Sequence, residues 1–119
     1  MCCPSIIDLA DGRIIALGSG GSSRIPTAVL HGTIYLTDAQ WTAEAAVKGP
    51  RTHVEGGPLH VETWNRTDQT MTSLKKEWPD HIQFDGPNMF FGGLHMAGLG
   101  PEGFCGSGDA RRSGAFGKA

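Results

Sequence analysis

The chemistry in this sequence concentrates in Gly18-Ser19-Gly20-Gly21-Ser22-Ser23, six small residues between the apolar run Ile14-Ile15-Ala16-Leu17 and Arg24-Ile25-Pro26. Small side chains let successive backbone N–H groups approach a ligand. Where a helix follows, its unpaired amides and macrodipole draw negative charge to the same place. The charge held there is a phosphate, a carboxylate or a developing oxyanion, and the turn alone does not choose among them. Two nucleotide patterns fit poorly. A phosphate loop closes on Gly-Lys-Ser/Thr, whereas Ser23-Arg24-Ile25 stands here, and a dinucleotide fingerprint asks for glycine at 18, 20 and 23, where position 23 is serine. As nucleophiles, Ser19, Ser22 and Ser23 would need a histidine in reach and a third group to orient it, and no spacing supplies them.

Other polar residues carry structural readings beside functional ones. Arg51, after Pro50, is expected to bond backbone and fix an extended segment, with His53 following it. Asp109, Arg111 and Arg112 form either a carboxylate site or a structural ion pair near the terminus. His53, His60 and His95 lack ligand spacing, so no metal is expected. His31 and Tyr35, four apart, read as a packed or surface helix pair. Cys2, Cys3 and Cys105 are odd in number and lack C-x-x-C spacing; they read as small buried hydrophobes, with one bridge to Cys105 sterically allowed.

The elements that position the turn follow from the pattern around it. A strand at residues 3–8 and a turn at 8–13 carrying Asp11-Gly12 make a hairpin whose second arm ends at the glycine turn. The helix beyond is expected to be capped by Ser23, with Pro26 in its first turn. Its face carries Ile25, Ala28, Val29 and Leu36, broadened by Leu30 and Ile34. A short helix at 43–48 is capped by Thr42 and stopped by Gly49-Pro50, and alternation predicts a half-exposed strand at 59–63. An amphipathic surface helix covers 68–78 and a short strand 81–84. An apolar strand runs over 89–96, where Gly92-Gly93 marks a bulge or close backbone approach. The chain turns at 99–103, pairs back at 104–106, and ends in a glycine-rich basic tail from Gly108.

With 119 residues, 18 Gly and 7 Pro, the chain is expected to form a single domain or fragment over 1–119, rich in turns and with a modest core. A net charge of −2, a pI near 6.2 and no basic cluster beyond Lys75-Lys76 and Arg111-Arg112 exclude a nucleic-acid binder. No apolar run reaches the length of a membrane span, and the first residues lack the basic start and apolar stretch of a signal peptide. No membrane contact is expected from this chain.

Four blocks, in order, carry a family resemblance: Gly18-Ser19-Gly20-Gly21-Ser22-Ser23-Arg24-Ile25; Ala43-Glu44-Ala45-Ala46-Val47 with Pro50-Arg51-Thr52-His53; Phe91-Gly92-Gly93-Leu94-His95; and Gly108-Asp109-Ala110-Arg111-Arg112-Ser113-Gly114. Together they resemble the C-terminal part of the small, catalytic subunit of the γ-glutamyltranspeptidases, or glutathione hydrolases. The resemblance implies an α+β fold: a partial αββα sandwich of the N-terminal-nucleophile hydrolase type, with antiparallel strands and two or three helices. It implies transfer of a γ-glutamyl group from glutathione or a related amide to water, an amino acid or a peptide, with no cofactor. In that chemistry the backbone N–H groups of Gly21 and Ser22 form the oxyanion hole, and Gly20, Gly21 and Ser22 contact substrate. The family's threonine nucleophile and large subunit belong to upstream sequence, so the implied partner is that missing part, or a second copy. The implied location is periplasmic or extracellular.

Two departures stand out. Ser22 occupies the place of a second glycine, and Met1-Cys2-Cys3-Pro4 lies where the family shows Ser-Ser-Met-x-Pro, the serines that bind the substrate α-carboxylate. The alternative reading is a truncated, non-catalytic relative that binds a partner or assembles a subunit. A third is an anion- or nucleotide-binding domain built on the same turn.

Overall fold

The computed structural model describes residues 3–64 and 66–117, without the side chain of Ser22. Strands β1 (Ser5–Asp8) and β2 (Ile14–Gly20) form the expected hairpin, with Asp8 opposite Ile14 and Gly12 at φ +95° in the turn. β2 then pairs antiparallel with β6 (Gly93–Gly100), and β6 with β7 (Gly103–Ser107), giving a four-stranded sheet in the order β1-β2-β6-β7.

Helices α1 (Ile25–Thr37) and α2 (Ala43–Lys48) cover one face of that sheet. Under them lies the core, built from Ile15, Leu17, Leu94 and Met96 of the strands and from Leu36, Ala43, Ala46 and Val47 of the helices. Period-two alternation places Ile6, Ile14, Ala16, Ala97, Leu99 and Phe104 on the other face. Among the described residues most of that face is open to solvent, with Ile6 76% exposed and Phe104 66%, and Phe116 lies over it at Gly106. The fold is therefore α+β, one helical layer and one sheet of the αββα arrangement, with most of the sheet's second apolar face uncovered by the described residues.

A second sheet, β3 (Thr52–His53), β4 (Leu59–Glu62) and β5 (His81–Phe84), takes the order β3-β4-β5. Beside the antiparallel strands expected, its β4–β5 pairing is parallel, and α3 (Asp68–Glu77) makes the crossover a parallel pair requires. α3 is capped by Thr67 and buries no residue, as its polar pattern predicts. α2 carries the expected Thr42 cap, whose Oγ1 accepts from the Ala45 N–H at 3.2 Å.

Several local expectations are revised. Ser23 is not the cap of α1: a 3-10 turn at Ser22–Arg24 precedes the helix, the N-cap is Arg24, and it makes no side-chain cap bond. Leu30 and Ile34 do not broaden the buried stripe and are 56% and 42% exposed, because the sheet contacts only the Ile25, Ala28, Gly32 and Leu36 face. Residues 89–96 are not one strand; Met89–Phe91 form a 3-10 turn capped by Asn88, and Gly92 at φ +74° breaks it from β6. The stretch from Gly108 is not a loose tail, since Asp109 and Arg111 are buried in a 3-10 turn at Ala110–Arg112. Cys3 and Cys105 are half-buried rather than buried, and Met1 and Cys2 lie outside the described residues.

Candidate active site

The glycine turn sits where β2 ends and the helical run begins. Gly20 pairs with Gly93 across the ladder, Gly21 takes φ +127°, and the Gly21 carbonyl accepts the Arg24 N–H at 3.2 Å, closing the first helical turn. N–H groups that precede the first helical bond have no acceptor inside the helix, so the Gly21-Ser22 amides lie at the positive end of the helical dipole. This is the strand, tight turn and helix that the small residues predict.

Both glycines of the facing pair fit for steric reasons. A Cβ on Gly21 would stand 2.7 Å from the Gly92 Cα, and one on Gly92 would stand 2.6 Å from the Gly20 carbonyl oxygen. Each backbone therefore packs directly on the other, and positive φ at both adds a second barrier to a side chain. Ser19, 4% exposed, donates from Oγ to the Gly93 carbonyl at 2.6 Å and ties the two strand ends together beside the turn. It is a buried hydrogen-bonding residue rather than a nucleophile.

Two guanidinium groups flank the turn. Arg24 lies 4.1 Å over the Phe90 ring and donates to Ser23 Oγ at 2.8 Å. Arg112 donates to the Met89 carbonyl at 3.3 Å, and its Nη2 stands 3.3 Å from where a Gly21 Cβ would project.

Behind the glycines is a buried network of two acids and two arginines. Asp109 Oδ2 accepts from Arg51 Nη2 at 2.7 Å and from the Leu94 N–H at 2.9 Å, while Oδ1 accepts from the Arg111 N–H and Nη1 at 3.0 and 3.1 Å. Glu62, fully buried, accepts from Arg111 Nη2 and Nε at 2.5 and 2.9 Å and from the N–H groups of Arg51 and Asn88. Burial pushes the Asp109 carboxyl up, but Arg51, Arg111 and two backbone N–H groups outweigh it and hold it below the ordinary aspartate range. Burial likewise drives Arg111 down, and its bonds to Glu62 and Asp109 reverse that. Arg51 bonds backbone as expected, through the Val47 and Phe91 carbonyls, but also carries the ion pair to Asp109.

Glu62 is the functional-network residue that sequence reasoning misses. Alternation predicts a half-exposed strand at 59–63, yet β4 is the central strand of its sheet and both Val61 and Glu62 are buried. The one available signal is a lone acid in an apolar strand, with Arg51 and Arg111 as counter-ions elsewhere in the chain.

His53 and His60 stand opposite each other on β3 and β4, and both rings lie against Phe90. His53 Nδ1 also bonds Thr27 Oγ1 at 2.8 Å, and His95, on β6, accepts the Asp109 N–H on Nδ1 at 3.2 Å. Among the described residues, no three His, Cys, Asp or Glu side chains are grouped to hold a metal ion, and no helix is long and apolar enough to cross a membrane. His31 Nδ1 donates to the Thr27 carbonyl at 2.8 Å inside α1 and its Nε2 faces the Thr52 N–H, a packed pair position as expected.

The fold is similar to that of several solved structures. Bacillus anthracis transpeptidase CapD superposes with a TM-score of 0.76 at 21% identity, over 100% of this chain and 71% of that one. Helicobacter pylori γ-glutamyltranspeptidase gives 0.70 at 24%, over 93% and 62%. The Pseudomonas nitroreducens γ-glutamyltranspeptidase gives 0.70 at 21%, over 100% and 63%. The chain thus spans less than two-thirds of the chains of those two γ-glutamyltranspeptidases. No curated protein matches it by sequence. The family described as Gamma-glutamyltranspeptidase matches residues 1–119, the whole length, and with the N-terminal-nucleophile hydrolase fold this chain belongs to that family.

Proposed function

We propose that this chain supplies the oxyanion-holding turn of a γ-glutamyltransferase or glutathione hydrolase. The substrate is glutathione or a related γ-glutamyl amide, and the acceptor is water, an amino acid or a peptide. The observation that carries this reading is the locked glycine turn at the helix N-terminus, in a chain of this family. A nucleophile, in the family an N-terminal threonine, attacks the γ-carbonyl carbon; the carbonyl oxygen takes the negative charge and the Gly21 and Ser22 N–H groups hold it. Collapse of that intermediate breaks the C–N bond and expels the amine, which carries off the proton the attacking hydroxyl gave up and leaves an acyl ester on the nucleophile. Water or an acceptor amine then attacks the acyl carbon through a second oxyanion at the same site. Its collapse breaks the ester bond, releases the product and returns the proton to the nucleophile's oxygen. Donors fixed in a packed turn need no reorganisation as charge develops; losing one costs on the order of 10²- to 10³-fold in rate.

The threonine and the rest of the substrate site come, in this proposal, from an upstream segment or large subunit, or the chain self-associates. The largely uncovered apolar face of the four-stranded sheet supports such a partner, since exposed apolar patches mark interaction surfaces. The test is release of p-nitroaniline from γ-glutamyl-p-nitroanilide by the native polypeptide that carries this chain, with Gly21→Val as the disabled variant. Release by the wild type, abolished by the variant, supports the reading. A native polypeptide that binds a partner stably but releases nothing supports the non-catalytic alternative instead.

A further inference from the structure

The segment Phe91-Gly92-Gly93-Leu94 is held at both ends by one ion pair. Arg51, 1% exposed, donates from Nη1 to the Phe91 carbonyl at 3.2 Å, and Asp109, also 1% exposed, accepts the Leu94 N–H at 2.9 Å. The two side chains bond each other at 2.7 Å, so the pair brackets the two glycines between them. Those glycines are the backbone on which the Gly20-Gly21 turn rests, with the Ser19 hydroxyl bonded to the Gly93 carbonyl at 2.6 Å as a third attachment.

We infer that Ser19, Arg51 and Asp109 are positioning residues for the oxyanion turn: they fix the 91–94 segment, and through it the direction of the Gly21 and Ser22 N–H groups. The inference rests on the proposed function. Its physical ground is the absence of slack. Gly92 packs so closely on Gly20 and Gly21 that there is no room for even a Cβ, so a shift of residues 91–94 is passed to the turn. Oxyanion donors are sensitive to such displacement, a misplacement of about 1 Å costing on the order of 100-fold in rate. The Arg51–Asp109 pair is charge-assisted and buried, which makes it stiff as well as strong. Burial of their charges is balanced within the network, two arginines against two carboxylates, so the clamp holds without an unpaired charge.

The test uses the native polypeptide with Ser19→Ala, Asp109→Asn and the two combined. Leu36→Ala, a core truncation at the far end of α1, serves as the control for destabilisation alone. For γ-glutamyl-p-nitroanilide, Ser19→Ala is expected to lower kcat on the order of 10- to 100-fold with KM changed by less than about twofold. Leu36→Ala keeps kcat, and the double variant loses less than the product of the single losses. By hydrogen exchange, Ser19→Ala speeds exchange in peptides covering 19–24 and 91–94 and not elsewhere. An unchanged kcat in Ser19→Ala, or exchange raised evenly over the chain as in Leu36→Ala, overturns the inference. If Asp109→Asn does not fold, Ser19→Ala alone decides it. If the wild type releases no nitroaniline, the proposed function fails, and the exchange pattern alone decides whether Ser19 positions the turn.

Discussion

Replacing Glu62 by Gln tests whether the buried charge network holds this fold together. Glu62 is fully buried and its two oxygens accept four donors: Arg111 Nη2 and the Arg51 N–H on one, Arg111 Nε and the Asn88 N–H on the other. Glutamine keeps one oxygen and turns the other into an NH₂ donor. Whichever way the amide is oriented, two donors then face a donor. The network also passes from neutral to a net single positive charge with both arginines still buried. Breaking one partner of a buried ion pair costs about 3–5 kcal/mol, a large share of the roughly 5–15 kcal/mol that stabilises a domain. With a urea m-value of about 2 kcal/mol/M, the unfolding midpoint should fall by about 2 M. Urea titration followed by tryptophan fluorescence measures it. A second variant separates charge from packing: Glu62→Met with Arg111→Met removes one acid and one arginine together, and should be less destabilised than Glu62→Gln. A shift below about 0.5 M for Glu62→Gln, or a double variant worse than the single one, would refute the reasoning that unpaired charge is the cause.

Gly21→Ala would force a Cβ to within 2.7 Å of the Gly92 Cα at φ +127°; γ-glutamyl release should fall on the order of 10²- to 10³-fold, read as kcat in the nitroanilide assay. Burial holds the His31 imidazole below the ordinary histidine value of 6.5, and its Nε2 faces the Thr52 N–H, so protonation would set donor against donor. The stability this neutral ring contributes is present above the unfolded pKa and is lost as pH falls through the lower folded one. Urea midpoints should therefore drop between about pH 7.5 and 5, and less so in His31→Gln; an equal drop in both would count against it. Asp109 remains ionised over that window, because its carboxyl is held below the ordinary value of 3.8. Self-association through the exposed sheet face, measured by light scattering, should be absent in Phe104→Lys with Leu99→Lys, since both side chains are more than half exposed there; equal scattering by wild type and variant would count against that face.

The order of elements was legible because each rests on a local signal. Asp11-Gly12 turned the hairpin at a glycine with φ +95°, Thr42 capped α2, and Gly92-Gly93 marked a close backbone approach that the packing on Gly20 and Gly21 makes literal. What was not legible depends on neighbours distant in sequence. Glu62 is buried because β3 and β5 flank its strand, with the nearer part of β5 nineteen residues beyond it in sequence. Arg51 reads locally as a backbone-bonding arginine, but its ionic partner Asp109 is 58 residues away. Ser23 is not the cap because it lies inside the 3-10 turn Ser22–Arg24, which follows directly on Gly21, the glycine packed against Gly92 of a distant segment.

The placement of the C-terminal residues explains why four sequence blocks so far apart converge on one turn. A buried acid needs buried cations, and Asp109 and Glu62 find theirs in Arg51 and Arg111, which come from different blocks. Those bonds bring the 110–112 turn against residues 91–94, and Arg112, next in sequence, is thereby set beside Gly21. Removing the residues from Gly108 onward would leave Arg51 and Glu62 buried without their partners and release Leu94 at the same stroke. The fold and the turn should then be lost together rather than one after the other. A truncation ending at Ser107 that kept a cooperative urea transition would contradict this coupling.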